Sequence, residues 1–146
     1  MKAAMKRQDW TLLALRFANG RGLSAVQLQK ALFLLERGLP EEVGPRYYHF
    51  TPYNYGPFDS AVYKDADVLA DQALVNIRKP TGRYTVYNIT PEGAQLAREL
   101  EAKAPSRAVQ HLKDIVEWIQ TLTFAQLVRA IYARYPEMKE NSVFSF

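Results

Sequence analysis

The chain has 146 residues, 19 Lys plus Arg against 15 Asp plus Glu for a formal net charge of +4, and 48% hydrophobic composition. That length suits one compact domain able to bury about two-thirds of its unfolded surface without a covalent staple. Zero Cys excludes disulfides, thiolate zinc sites and cysteine nucleophiles, and His49 and His111 stand too far apart in sequence to make a ligand pair of recognisable spacing.

The basic N-terminal stretch leads into no long apolar run, so a soluble, unprocessed, cytoplasmic protein with no membrane contact is expected. No internal repeat or low-complexity tract interrupts it. The expected organisation is a single domain over 1–146, with a core over 9–104, a C-terminal helical extension over 107–136 and a tail over 137–146.

In chain order, Asp9 or Thr11 is expected to cap a first helix carrying Trp10, Leu12, Leu13, Leu15 and Phe17, which Asn19-Gly20 and Gly22 end. Ser24 caps a second helix to about Leu39, with Val26, Leu28, Ala31, Leu32, Leu35 and Leu39 as one stripe widened by Phe33 and Leu34. The aromatic segment 45–58 lacks helical period and reads as a short strand and a turn, bent at Gly56-Pro57. A third helix, capped by Asp59 or Ser60, runs to about Ala73 with Val62, Ala66, Leu69 and Ala73 inward. Leu74 to Arg78 and Arg83 to Ile89 read as a hairpin around Pro80-Thr81-Gly82. Thr90 then caps a helix with Pro91 at its first position, and the remainder is helical to Pro136.

Three helices, a hairpin and a further helix give the predicted fold class: α+β, mostly helical, a winged helix-turn-helix with a two-stranded wing and C-terminal helices. The wording of residues 59–100, with SAVYKDADVLADQALV before the wing and GRYTVYNITPEGAQLAREL after it, resembles winged-helix regulators of the PadR and MarR type. A second likeness covers about Leu28 to Gly93. LQKALFLLE followed by YHFTPYNYGPFDSAVYKD resembles the Panacea family, that is, the SocA-type antitoxin domains, and the YwgA-like uncharacterised bacterial proteins. These resemblances imply a prokaryotic regulatory or antitoxin module, not an enzyme. The C-terminal YPEMKENSVF has no counterpart in that pattern.

Charge is distributed unevenly. Residues 1–39 carry seven bases and two acids (+5), 40–76 two and six (−4), 77–107 six and three (+3), and 108–146 four and four (0). A duplex-DNA reader needs donors on its recognition helix, yet the third helix offers Asp59, Asp65, Asp67 and Asp71 against Lys64. The wing suits DNA better, because Arg78, Lys79 and Arg83 flank its turn and Lys2, Lys6, Arg7, Arg16 and Arg21 extend the positive field. The plainer alternative for the three wing charges is ordinary solubility.

Two functions are therefore expected in competition. In the first, a transcriptional regulator binds duplex DNA through Tyr63, Lys64, Arg78, Lys79 and Arg83. In the second, an antitoxin or adaptor binds a toxin-like or other protein partner through Tyr53, Tyr55, Asp65, Asp67 and Asp71. No catalytic residue, metal site or cofactor is expected: Asp67 and Asp71 read as a solvated helix face, Lys30 as a solvated helix edge, and the aromatic block largely as core filling. The C-terminal stripe of Trp118, Ile119, Phe124, Leu127 and Ile131 is expected either to pack back on the core or to form a homodimer.

Overall fold

The computed structural model describes residues 5–44, 47–79 and 84–144. It is mostly helical with two small antiparallel sheets. The helix α1 (Arg7–Phe17) is buried on nearly every side, Trp10, Leu12, Leu13, Ala14 and Leu15 all being inaccessible to solvent. A helix whose apolar residues are buried on most sides belongs at the centre of a domain. It packs against α2 (Ala25–Gly38), α4 (Ser60–Asp71), α5 (Pro91–Lys103) and α6 (Ser106–Gln120).

The start of α1 differs from expectation. Lys6 occupies the N-cap, and Asp9 sits inside the first turn, where its carboxylate accepts from the Lys6 backbone N–H at 2.8 Å. Thr11 is buried within the helix. Ser24 caps α2 as its sequence position predicts, accepting from Gln27 N–H while the Gln27 side chain reaches back to the Ser24 N–H. Asp59 caps α4, and Thr90 caps α5 ahead of Pro91. Ala73 is not part of the α4 stripe: α4 stops at Asp71, and Ala73 turns the chain at a φ of 62° on the exposed side.

Two elements are hidden from periodicity. β1 (Leu23–Ser24) has only two residues, and it pairs with β5 (Val86–Ile89), which pairs in turn with β4 (Val75–Arg78) in the order β1-β5-β4. The single turn α3 (Pro40–Val43) follows α2 directly. The aromatic segment, expected as one strand and a turn, forms a complete hairpin of β2 (Thr51–Tyr53) and β3 (Gly56–Phe58), with Thr51 opposite Phe58 and Tyr53 opposite Gly56.

The C-terminal stripe packs back on the core. Ile119, Leu127 and Ile131, on α6 and α7 (Phe124–Arg134), are buried within the chain, while Trp118 and Phe124 remain exposed. The tail is then drawn across the aromatic hairpin. After a 3-10 turn at Pro136–Lys139, Val143 N–H donates to Asn54 C=O at 2.9 Å and the Asn141 side chain donates to Pro52 C=O at 3.3 Å.

Candidate interaction surface

The two halves of the Leu-Gln-Lys and Tyr-Gly-Pro pattern meet in space. The Gln29 side-chain amide donates to Asp59 C=O at 3.0 Å, and its carbonyl accepts from Asp59 N–H at 3.0 Å. The Asp59 carboxylate meanwhile accepts from Ala61 N–H, as the α4 cap, and from His49 N–H at 2.6 Å. One residue thus fixes the segment before the hairpin and the helix after it to α2. Both Gln29 amide groups and both Asp59 carboxylate oxygens find partners in this part-buried junction.

Beside Gln29 lies Lys30, which corrects the expectation of a solvated lysine: it is 2% exposed. It falls at i+4 from Val26 and three residues before Phe33, on the inward face of α2. The β2–β3 turn covers it. A Cβ built on Gly56 would stand 3.6 Å from Lys30 Nζ and 3.4 Å from a Tyr132 ring carbon, and Gly56 has a φ of +108° that favours glycine. Among the described residues no hydrogen bond or ion pair reaches the amine, and burial alone lowers its pKa to about 7. No wholly enclosed side-chain polar atom among the described residues lacks a partner, so the amine nitrogen is not wholly enclosed, and Lys30 lines the adjoining cavity.

That cavity measures about 150 Å³ and is lined by Val26, Gln29 and Lys30 of α2, by the hairpin from Tyr53 to Phe58, and by Tyr63 of α4. A larger groove of about 690 Å³ adjoins it, sharing Val26 and Tyr55 and adding Tyr84, Leu122, Phe124 and Leu127. Around the two hollows stand Tyr53, Tyr55, Tyr84 and Phe124, exposed by 51%, 39%, 67% and 46% respectively. Three of these rings are braced, Tyr53 against Phe58 at 4.9 Å between centroids and Tyr55 edge-on to Phe124 at 5.0 Å. Fixed aromatic rings around a hollow lose little side-chain freedom when something binds them.

The expected site residues divide. Tyr53 and Tyr55 lie on this surface as exposed residues, and Tyr63 is half-buried in its wall, where burial raises its hydroxyl pKa. Lys64, Asp67 and Asp71 are exposed on α4. Asp65 is not available to any partner: it is buried, and Arg7 grips it with Nε–H to Oδ2 at 2.7 Å and Nη2–H to Oδ1 at 2.9 Å. Its place between Val62, Ala66 and Leu69 on the inward stripe is the signal for this. The same pair holds the Arg7 guanidinium pKa above its ordinary value, through the hydrogen bond to Asp65.

The positive field is also thinner than the sequence suggests. Arg7 is committed to Asp65, Arg16 to Glu101 at 2.9 Å, and Arg21 to the Gln120 carbonyl at 3.2 Å. Arg78 is exposed and holds Asn88 Oδ1 with two N–H groups, and Lys79 is exposed beside it. Arg83 and the wing turn lie outside the described residues. Among the described residues no group of three His, Asp or Glu side chains could hold a metal ion, and no helix is long and apolar enough to cross a membrane.

The sequence reading missed the tail. Ser142 Oγ donates to Asn54 C=O and accepts from the Tyr132 hydroxyl at 2.7 Å, so residues far from the hairpin in sequence hold its turn over Lys30. No periodic or compositional signal in such a short polar segment announces a contact of this range. No family model matches the chain, and no curated protein matches it.

Proposed function

We propose that the chain is a regulatory module that binds a protein partner through the aromatic surface formed by the β2–β3 hairpin, the N-terminal half of α2 and the start of α7. The observation that carries this reading is the set of four exposed aromatic side chains, Tyr53, Tyr55, Tyr84 and Phe124, around two adjoining hollows, with Tyr53, Tyr55 and Phe124 braced by ring contacts. Tyrosines concentrated at a concave, partly apolar patch are the residues that anchor protein interfaces. The resemblance of Leu28 to Gly93 to the antitoxin domains agrees with such a role. The exposed carboxylates Asp67 and Asp71 on α4 disfavour phosphate on that face.

The second reading is a winged-helix regulator on duplex DNA. It is supported by the chain order α1, β1, α2, α4, β4, β5 with the sheet order β1-β5-β4, and by Arg78 and Lys79 at the exposed end of the β4–β5 hairpin. The two readings part in one pair of experiments. Co-expression with the proteins encoded beside this chain yields a complex that Tyr53→Ala with Tyr55→Ala, or Phe124→Ala, weakens by about tenfold or more. A labelled random duplex, titrated by fluorescence anisotropy, binds weakly and without a steep salt dependence. A complex indifferent to the aromatic substitutions, or DNA binding whose salt slope falls on charge reversal at Arg78, Lys79 and Arg83, would reverse the order of the two.

A further inference from the structure

We propose that Lys30 and the cavity under the β2–β3 turn form a receptor for a carboxylate side chain, Asp or Glu, presented by the partner protein. This rests on the reading of the aromatic surface as a protein-binding face and names the group that the face selects. Three observations carry it. Lys30 is 2% exposed, yet no hydrogen bond or ion pair satisfies its amine among the described residues. An amine removed from water without a partner is a cost that a bound anion would relieve. Lys30 lines a cavity of about 150 Å³, walled by Tyr53, Tyr55, Phe58 and Tyr63. That is room for roughly five groups of water size, which matches the five heavy atoms of a glutamate side chain beyond its Cα.

The surroundings carry the right charge for such a guest. The titratable groups lining the cavity beside Lys30 are Tyr53 and Tyr55 on the hairpin and Tyr63 on α4, and Tyr132 of α7 approaches from beneath Gly56. None is a carboxylate, and no carboxylate acts on the amine from elsewhere in the described chain. Asp59, bonded to the neighbouring Gln29, is already engaged with Ala61 and His49. An entering carboxylate therefore meets one cation, aromatic ring faces for its methylenes, and no competing anion. Unlike a phosphate site, the cavity presents no second base, so a single negative charge of small size is the fitting ligand.

The test uses the full chain, isotopically labelled, with two capped tripeptides as probes, acetyl-Gly-Glu-Gly-amide and its Gln counterpart. The Glu peptide is expected to shift the Lys30 side-chain signals and the backbone amides of Tyr53 to Phe58 along one saturable curve. The Gln peptide should bind about tenfold or more weakly, since it offers the same shape without the charge. Lys30→Met, checked for an intact amide spectrum, should erase the difference between the two peptides. Equal binding of both peptides, or no shift at these residues from either, overturns the proposal without needing any variant. If Tyr53→Ala with Tyr55→Ala abolishes the partner complex while Lys30→Met leaves it intact, the carboxylate receptor falls and the aromatic interaction surface stands.

Discussion

The side chain of Gln29 and the backbone of Asp59 hold each other by two reciprocal hydrogen bonds of 3.0 Å, so that α2 carries the end of the aromatic hairpin as if it were a third strand of it. Replacing Gln29 by Leu keeps the volume but leaves the part-buried Asp59 N–H without its partner, while the Asp59 C=O keeps only the bond from Val62 N–H at 3.1 Å. The expected cost is about 1–2 kcal/mol, read from urea unfolding, because one part-buried donor loses its partner and the carbonyl loses one of two. Loss of less than about 0.5 kcal/mol would mean that water replaces the amide freely.

Arg7 and Asp65 tie the start of α1 to the inward face of α4. The arginine is about a third exposed and the aspartate nearly buried, with side-chain accessibilities of 35% and 7%. Arg7→Met should therefore destabilise the chain by about 1–3 kcal/mol, less than a wholly buried pair would lose, because solvent screens the remaining carboxylate in part. The double variant Arg7→Met with Asp65→Leu should recover much of that loss, since it leaves no buried charge behind. Both are read from denaturant midpoints, and additive losses would show that the pair does not act as a pair.

Lys30 makes stability depend on pH in a direction set by its burial. Its pKa falls from 10.5 unfolded to about 7 folded, so between those values the unfolded chain binds more protons than the folded one. Stability therefore rises as pH increases above about 7, and below that pH the cost is fully present. Lys30→Met should raise stability at neutral pH by about 2–4 kcal/mol and remove the slope between about pH 7 and pH 9.5. Parallel pH profiles for the two chains would contradict an amine held without a partner. A residue that costs stability in the free protein is the kind retained for binding.

The tail stabilises the hairpin locally. Removing residues 141–146 deletes the bonds from Asn141, Ser142 and Val143 to Pro52 and Asn54. Amide exchange in Tyr53 to Phe58 should accelerate about tenfold or more, while the helical core keeps its protection. Uniform acceleration over the whole chain would instead place the tail in the global folding unit.

Much of the helical frame is legible in the sequence. Ser24, Asp59 and Thr90 declare three helix starts because a short side-chain oxygen before an apolar stripe has one favourable use, and the caps are found where those residues stand. The β4–β5 hairpin follows from its Val, Ile and Tyr content in the same way. What periodicity misses is what depends on distant chain. β1 is two residues long and exists only because β5 offers it an edge, and no local pattern signals a strand so short.

The partners of the charged residues were decided by tertiary structure. By sequence, Asp65 differs from Asp67 only in sharing the stripe of Val62, Ala66 and Leu69, and Arg7 and Lys79 are equivalent bases on one field. Only the approach of α1 to α4 makes Asp65 an internal anchor and consumes Arg7, while Asp67 and Lys79 stay in water. Lys30 is the clearest case. The sequence determines that it shares a helical face with Val26 and Phe33, whereas the hairpin, pinned from one side by Gln29 and from the other by the tail, removes it from solvent. The physical reason is range: local sequence fixes backbone dihedrals and faces, but the water around an ionisable group is excluded only by segments far away in the chain.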